Sequence, residues 1–190
     1  MTDDKITIVS GLPRSGTSLM MQVVVAGGIP ALTDNIRKAD DDNPKGYWEL
    51  EAVKKVKEDA SFLKGAPGKV FKAVHLLLYD LPPDFGYRVV FTERRIEEVL
   101  ASQKKMLDRM GKDHGGLTDG KLGSIFGDQI EKLKTWLAGR ENFSVLYVDY
   151  NEVVEDPKPT VEKINAFLGG GLDTSAMLAV VDPTLYRPRK

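Results

Sequence analysis

Ile6-Thr7-Ile8-Val9-Ser10-Gly11-Leu12-Pro13-Arg14-Ser15-Gly16-Thr17-Ser18 is the stretch around which the chain is organised. Ile6 to Ser10 is a near-continuous apolar run, the pattern of a strand buried on both faces of a parallel sheet. Leu19 to Ala26 is a second apolar run, and with Thr17 and Ser18 it predicts a helix ending at Gly27-Gly28. Between them lies a tight loop with a glycine at each end. A strand, a glycine-bearing loop and a helix start bring several backbone N–H groups to one point, which makes a site for a phosphate-like anion.

The loop glycines, Gly11 and Gly16, stand at the Gly-x4-Gly spacing of a P-loop. Thr17 stands where an ATP-binding loop has its lysine, and the positive charge sits earlier, at Arg14. The N–H groups from Ser15 to Ser18, the hydroxyls of Ser15, Thr17 and Ser18, and the Arg14 guanidinium form a set able to hold a diphosphate or a phosphosulfate. Arg14 can also neutralise charge while a group is transferred.

The bulk numbers bound the possibilities. A chain of 190 residues has the length of one domain with a sizeable core, here residues 1–190. A net charge of −1 argues against a nucleic-acid partner or a membrane surface. The absence of cysteine removes disulfides and thiolate chemistry and fits a reducing compartment. Two histidines, His75 and His114, are too few for most histidine metal sites, so no metal is expected. Met1-Thr2-Asp3-Asp4 lacks the basic end of a signal peptide, and no apolar run approaches the ~20 residues of a membrane span. The expectation is a soluble, cytoplasmic protein.

Along the chain, Thr33 to Gly46 is polar and holds Asp40-Asp41-Asp42, and it ends in Gly46-Tyr47-Trp48-Glu49. Val53, Val56, Ala60 and Leu63 predict a helix from Ala52 to Leu63. Further strands are expected at Lys69 to Leu78, Tyr87 to Thr92 and Phe143 to Asp149. Helices are expected at Ile96 to Met110, around Leu122 to Leu137, at Thr160 to Leu168 after Asp156-Pro157, and at Thr174 to Val181. Gly111 to Gly120 reads as a loop. Strands alternating with helices give an α/β fold, a P-loop NTPase-like three-layer arrangement with a mainly parallel central sheet flanked by helices. Its ligands bind beyond the C-terminal strand edges. There the loop, Lys72 to His75, Thr92 to Arg95 and Asp149-Tyr150 should meet.

Arg94 closes the third strand and Ser102 follows eight positions later in the next helix. A strand-end arginine and a hydroxyl on the following helix can grip one dianionic phosphate from two sides. The same arginines could instead pair with Glu97 or Glu98.

Pro13-Arg14-Ser15-Gly16-Thr17-Ser18 resembles the 5′-phosphosulfate-binding loop of sulfotransferases. Arg94 and Ser102 match that family's 3′-phosphate pair. Lys72-Ala73-Val74-His75 is similar to its strand-end Lys-Thr-His, with one extra residue between lysine and histidine. Tyr150-Asn151-Glu152 resembles the segment whose tyrosine lies by the adenine. The resemblance implies 3′-phosphoadenosine 5′-phosphosulfate (PAPS) as sulfuryl donor, PAP as product, no metal, and in-line transfer to a hydroxyl or amine of a small-molecule or peptide acceptor. Pro13, Arg14, Ser15, Gly16, Thr17, Ser18, Arg94, Ser102 and Tyr150 would then bind the nucleotide, and Arg14 and Lys72 would cover charge on the leaving phosphate. The acceptor's proton falls to His75 or to Glu49, with Asp34 a more remote candidate. Arg187, Arg189 and Lys190 correspond in position to the family's basic C-terminal stretch, and Gly111 to Gly120 to a lid over the acceptor.

Two other classes remain open on sequence. One is a magnesium-dependent P-loop kinase or NTPase, since Val145 to Asp149 has the form of an apolar strand ending in a metal-site aspartate. The other is a nucleotide binder without a working base.

Overall fold

The computed structural model describes residues 4–34, 36, 46–109, 111 and 117–182. Four strands form one parallel sheet: β1 (Ile6–Gly11), β2 (Val70–Val74), β3 (Tyr87–Glu93) and β4 (Phe143–Asp149), in the order β2-β1-β3-β4. The helices are α1 (Thr17–Ala26), α2 (Ile96–Arg109), α3 (Asp119–Ala138), α4 (Tyr150–Glu155), α5 (Pro157–Phe167) and α6 (Thr174–Ala179). None of these is long and apolar enough to cross a membrane.

Alternation along the strands builds the three layers. Ile6 and Ile8 of β1, with Tyr87, Val89 and Phe91 of β3, face a core completed by Leu133 and Leu137 of α3. Val9 and Val90 face the opposite core, with Met20 and Val24 of α1, Ile164 of α5 and Met177 of α6. β1 lies between β2 and β3 and is buried at every residue. The near-continuous apolar run of β1 reflects that position.

Two elements depart from the sequence expectation. Ala52 to Leu63 is not one helix but two 3₁₀ turns, Glu51–Lys55 and Ser61–Gly65. The Asp59 carboxylate accepts the Ser61 N–H at 2.8 Å and starts a new turn, the local competition that short polar side chains offer to a helix. Val53, Val56 and Leu63 are buried as the stripe predicted, because residues three apart also share a face in a 3₁₀ turn. The second strand stops at Val74, and a 3₁₀ turn runs from His75 to Asp80. Val74 is level with Gly11, where β1 itself ends, so no partner remains to continue the ladder.

Smaller differences lie at element ends. Helix α3 starts at Asp119, capped by the Thr118 hydroxyl, and takes Asp119 and Gly120 out of the expected loop. Helix α5 begins at Pro157 with Asp156 as its cap, the start that Asp156-Pro157 predicts, and ends at Phe167, one residue before the expected Leu168. Helix α4 is too short to show a repeating apolar stripe in the sequence; Asp149 caps it by accepting the N–H groups of Asn151 and Glu152. The Asp40 run, Met110, His114 and the glycines around it, and Arg187, Arg189 and Lys190 lie outside the described residues.

Candidate active site

The β1–α1 loop sits at the C-terminal edge of the sheet. Gly11 has no room for a side chain: a Cβ would lie 2.5 Å from Ser15 Oγ and 2.6 Å from the Thr92 carbonyl. Gly16 takes a left-handed conformation, φ 99°, and a Cβ there would lie 2.1 Å from the Tyr150 ring. The loop is therefore pressed between β3 on one side and α4 on the other. The Thr92 hydroxyl donates to the Ser10 carbonyl at 3.1 Å, so the Ser15 hydroxyl donates to Thr92 Oγ1, at 2.9 Å. The Ser15 N–H is turned to the Leu12 carbonyl, which leaves the anion-facing role to the N–H groups that open α1. Arg14 has a positive φ of 71°, a strained setting for a residue with a side chain.

Arg14 Nε donates to Ser102 Oγ at 3.1 Å. Arg94 donates to the Arg14 carbonyl at 3.3 Å and lies over the Tyr150 ring, 4.4 Å from its centroid. The structure thus brings Arg14, Arg94, Ser102 and Tyr150 to one place, from the loop, the residue after β3, α2 and α4. Arg94 also forms the pair with Glu98 that its i,i+4 spacing allows, at 2.8 Å. Burial alone would raise the Glu98 carboxyl, but its bonds to Arg94 and Asn151 outweigh that and hold it below the usual carboxylate range.

A second cluster forms on the β2 side. Lys72, in the middle of β2, donates to the Tyr47 carbonyl, reaches Ser18 Oγ at 3.5 Å and lies 3.7 Å from a Glu49 carboxylate oxygen. The other Glu49 oxygen faces Lys54 at 3.5 Å. Asp34 is used structurally: its two carboxylate oxygens accept the N–H groups of Ile36 and Glu51, and those bonds hold its carboxyl below the usual range.

His75 is 3% exposed. Its Nε2 lies 3.0 Å from Gln129 Oε1 of α3, so Nε2 carries the proton and donates, and Nδ1 has no hydrogen-bond partner among the described residues. Burial pushes the imidazole below its ordinary value of 6.5, against the opposing pull of Gln129 and the Gly11 backbone. The sequence pointed to Lys72 and His75 together, but they part here: Lys72 turns towards Ser18 and Glu49, and His75 turns into the α3 interface.

Gln129 and the Tyr47 carbonyl carried no sequence signal. Glu98 had one, its four-residue spacing from Arg94, which suggested a pairing that competes with anion binding. Among the described residues no group of three His, Cys, Asp or Glu side chains is placed to hold a metal ion.

The sequence model of the "Sulfotransferase domain" family matches residues 3–188. The guinea pig (Cavia porcellus) 3-alpha-hydroxysteroid sulfotransferase is 25% identical over 184 residues, covering 89% of this chain and 60% of the relative. Mouse (Mus musculus) sulfotransferase 1A1 is 26% identical over 198 residues, covering 96% of this chain and 66% of the relative. The chain therefore spans less than two thirds of the length of these relatives. Among solved structures, mouse sulfotransferase SULT7A1 complexed with PAP is similar with a TM-score of 0.56 and 20% identity, covering 95% of this chain and 63% of that one. The sulfotransferase domain of the Synechococcus PCC 7002 olefin synthase gives a TM-score of 0.55 at 17% identity, covering 97% and 82%.

Proposed function

The chain belongs to the sulfotransferase domain family, and from that premise we propose that it moves a sulfuryl group from PAPS to the hydroxyl or amine of a small-molecule acceptor, in a cytoplasmic setting. The observation that carries the reading is the pairing of two anion-binding places. One is the β1–α1 loop, pressed so closely that neither Gly11 nor Gly16 has room for a Cβ. The other is the Arg14–Ser102–Arg94 group beside the Tyr150 ring. A nucleotide with anions at both its 5′ and 3′ positions fits that pair. A nucleoside triphosphate with magnesium would use the loop and leave the second group without a ligand.

The donor supplies a sulfuryl group that passes to the acceptor atom as the bond from sulfur to the 5′-phosphate oxygen breaks. This chain's residues do the rest. The N–H groups that open α1, together with Arg14, hold the 5′ end and stabilise the charge that grows on the phosphate side. Arg94 and Ser102 hold the 3′ anion. Lys72 spans the loop and the Gly46–Glu49 segment through Ser18, the Tyr47 carbonyl and Glu49.

Glu49 is the base in this reading. Its carboxylate is 18% exposed, lies beside Lys72, and can take the acceptor proton at an oxygen atom. His75 is the second reading: its imidazole is held at Nε2 by Gln129 and would take the proton at Nδ1. Exposed Val74 and Leu76 flank His75, and exposed Ile125 lies one helical turn before Gln129 on α3. These side chains favour an acceptor with an apolar body.

The test is transfer from PAPS to a panel of phenols and apolar alcohols. Glu49→Gln should lower turnover by roughly 10²- to 10⁴-fold with nucleotide affinity little changed, and His75→Gln should keep most of it. The reverse pattern makes His75 the base. Nucleotide binding with no transfer to any acceptor leaves a binder rather than an enzyme.

A further inference from the structure

We infer that Glu98 is a positioning residue: it aims the Arg94 guanidinium at the nucleotide's 3′ anion and ties that aim to the Tyr150 ring. The inference rests on the nucleotide reading above and adds to it a residue that itself touches no ligand.

The geometry is a carboxylate used at both oxygens. Glu98 Oε2 accepts from Arg94 Nε at 2.8 Å, and Oε1 accepts from Asn151 Nδ2 at 3.0 Å. Arg94 is then fixed by three contacts of different kinds. Glu98 holds the Nε edge, the Arg14 carbonyl accepts from Nη1 at 3.3 Å, and the Tyr150 ring covers one face at 4.4 Å. A planar guanidinium held in this way can no longer rotate about its stem. Its Nη2 edge, which makes no hydrogen bond among the described residues, is left as the edge to meet an anion.

The second bond fixes the other half of the site. Asn151 is buried and follows Tyr150 in the first turn of α4. The Glu98–Asn151 bond therefore sets where Tyr150 stands, and the Tyr150 ring closes over Gly16 of the anion loop. One side chain from α2 thus joins the strand-end arginine, the start of α4 and the loop. Glu98 and Arg94 are largely shielded, with side-chain exposures of 14% and 12%, so solvent does not screen the pair as it would a surface pair. Arg95 lies 3.7 Å from the same carboxylate, but 65% of its side chain is exposed, and it adds little.

A carboxylate beside an anion site repels the anion by simple charge counting. If charge were all that mattered, removing Glu98 would tighten 3′-anion binding. If aim matters more, removing it loosens that binding. The two accounts predict opposite signs.

The experiment is calorimetric titration of 3′,5′-ADP and of ADP, which lacks the 3′ anion, into the wild-type chain and the Glu98→Ala, Glu98→Gln and Arg94→Ala variants. The wild type is expected to prefer 3′,5′-ADP. Glu98→Ala should cut that preference by about tenfold while ADP affinity stays within about twofold, and Glu98→Gln should fall between. In the Arg94→Ala background, Glu98→Ala should take nothing further from the preference, as expected if Glu98 acts through Arg94. If Glu98→Ala does not fold, Glu98→Gln decides alone. Full preference in the Glu98 variants, or tighter 3′,5′-ADP binding, overturns the inference and leaves the nucleotide reading standing. A wild type that binds ADP as well as 3′,5′-ADP overturns the nucleotide reading, and the inference falls with it.

Discussion

The two sides of the β1–α1 loop are built differently. On the β3 side, Arg14, Ser15, Thr92, Arg94, Glu98, Ser102, Tyr150 and Asn151 hold one another through hydrogen bonds and ring contacts between regular elements. On the β2 side, Glu49 and its neighbours stand on an irregular segment followed by two 3₁₀ turns, with Lys72, Thr33 and Asp34 bonded to it and Val53, Val56 and Leu63 buried in the core. The braced side suits the donor nucleotide, whose two anions must be held at fixed positions whether or not it carries the sulfuryl group. The less regular side suits the acceptor.

The largest break in this contrast should come from Gly16→Ala. The added methyl meets the Tyr150 ring, and the left-handed backbone adds strain, so thermal melting should show a loss on the order of 2–5 kcal/mol. Nucleotide binding should go with it. A variant as stable as the wild type, with normal binding, would mean that the braced side is not braced by this contact.

Lys72→Met tests the tie between the two sides. It keeps the stem and removes the ammonium that joins Ser18, the Tyr47 carbonyl and Glu49. Turnover should fall by about 10²-fold with nucleotide affinity falling by less than about tenfold. Equal losses in both would make Lys72 a nucleotide residue alone.

The smallest effect is expected at His75. Burial holds its imidazole below 6.5 in the folded chain, so below that pH the unfolded chain takes up a proton that the folded chain refuses. Stability from this group is full above about pH 6.5 and falls as pH is lowered through it. Melting temperature measured from pH 8 to pH 5 should decline, and His75→Gln should flatten part of that decline. An unchanged slope in the variant would place the titration elsewhere.

The same contrast separates what the sequence reveals from what it conceals. Thr17–Ala26 and Phe143–Asp149 have the limits that apolar runs and glycine stops predict, because local signals and tertiary burial agree there. The meeting of Arg14, Arg94, Ser102 and Tyr150 follows from parallel strands delivering their C-terminal ends to one edge. The end of β2 was not legible, because it depends on where β1 stops pairing rather than on Val74 or His75 themselves. The separation of Lys72 from His75 follows from that ending. Ala52 to Leu63 has a helical stripe, but Asp59 interrupts it through a bond to the backbone that periodicity does not register. Gln129 reaches His75 across 54 positions of chain, and no spacing rule could have joined them.

The most direct test of the central claim is a calorimetric titration of the wild-type chain with 3′,5′-ADP without magnesium, set beside ATP with magnesium. Two anion places served by Arg14, Arg94 and Ser102 predict tight binding of 3′,5′-ADP, independent of magnesium, and weak binding of ATP. Tight binding of magnesium–ATP with indifference to 3′,5′-ADP would contradict it.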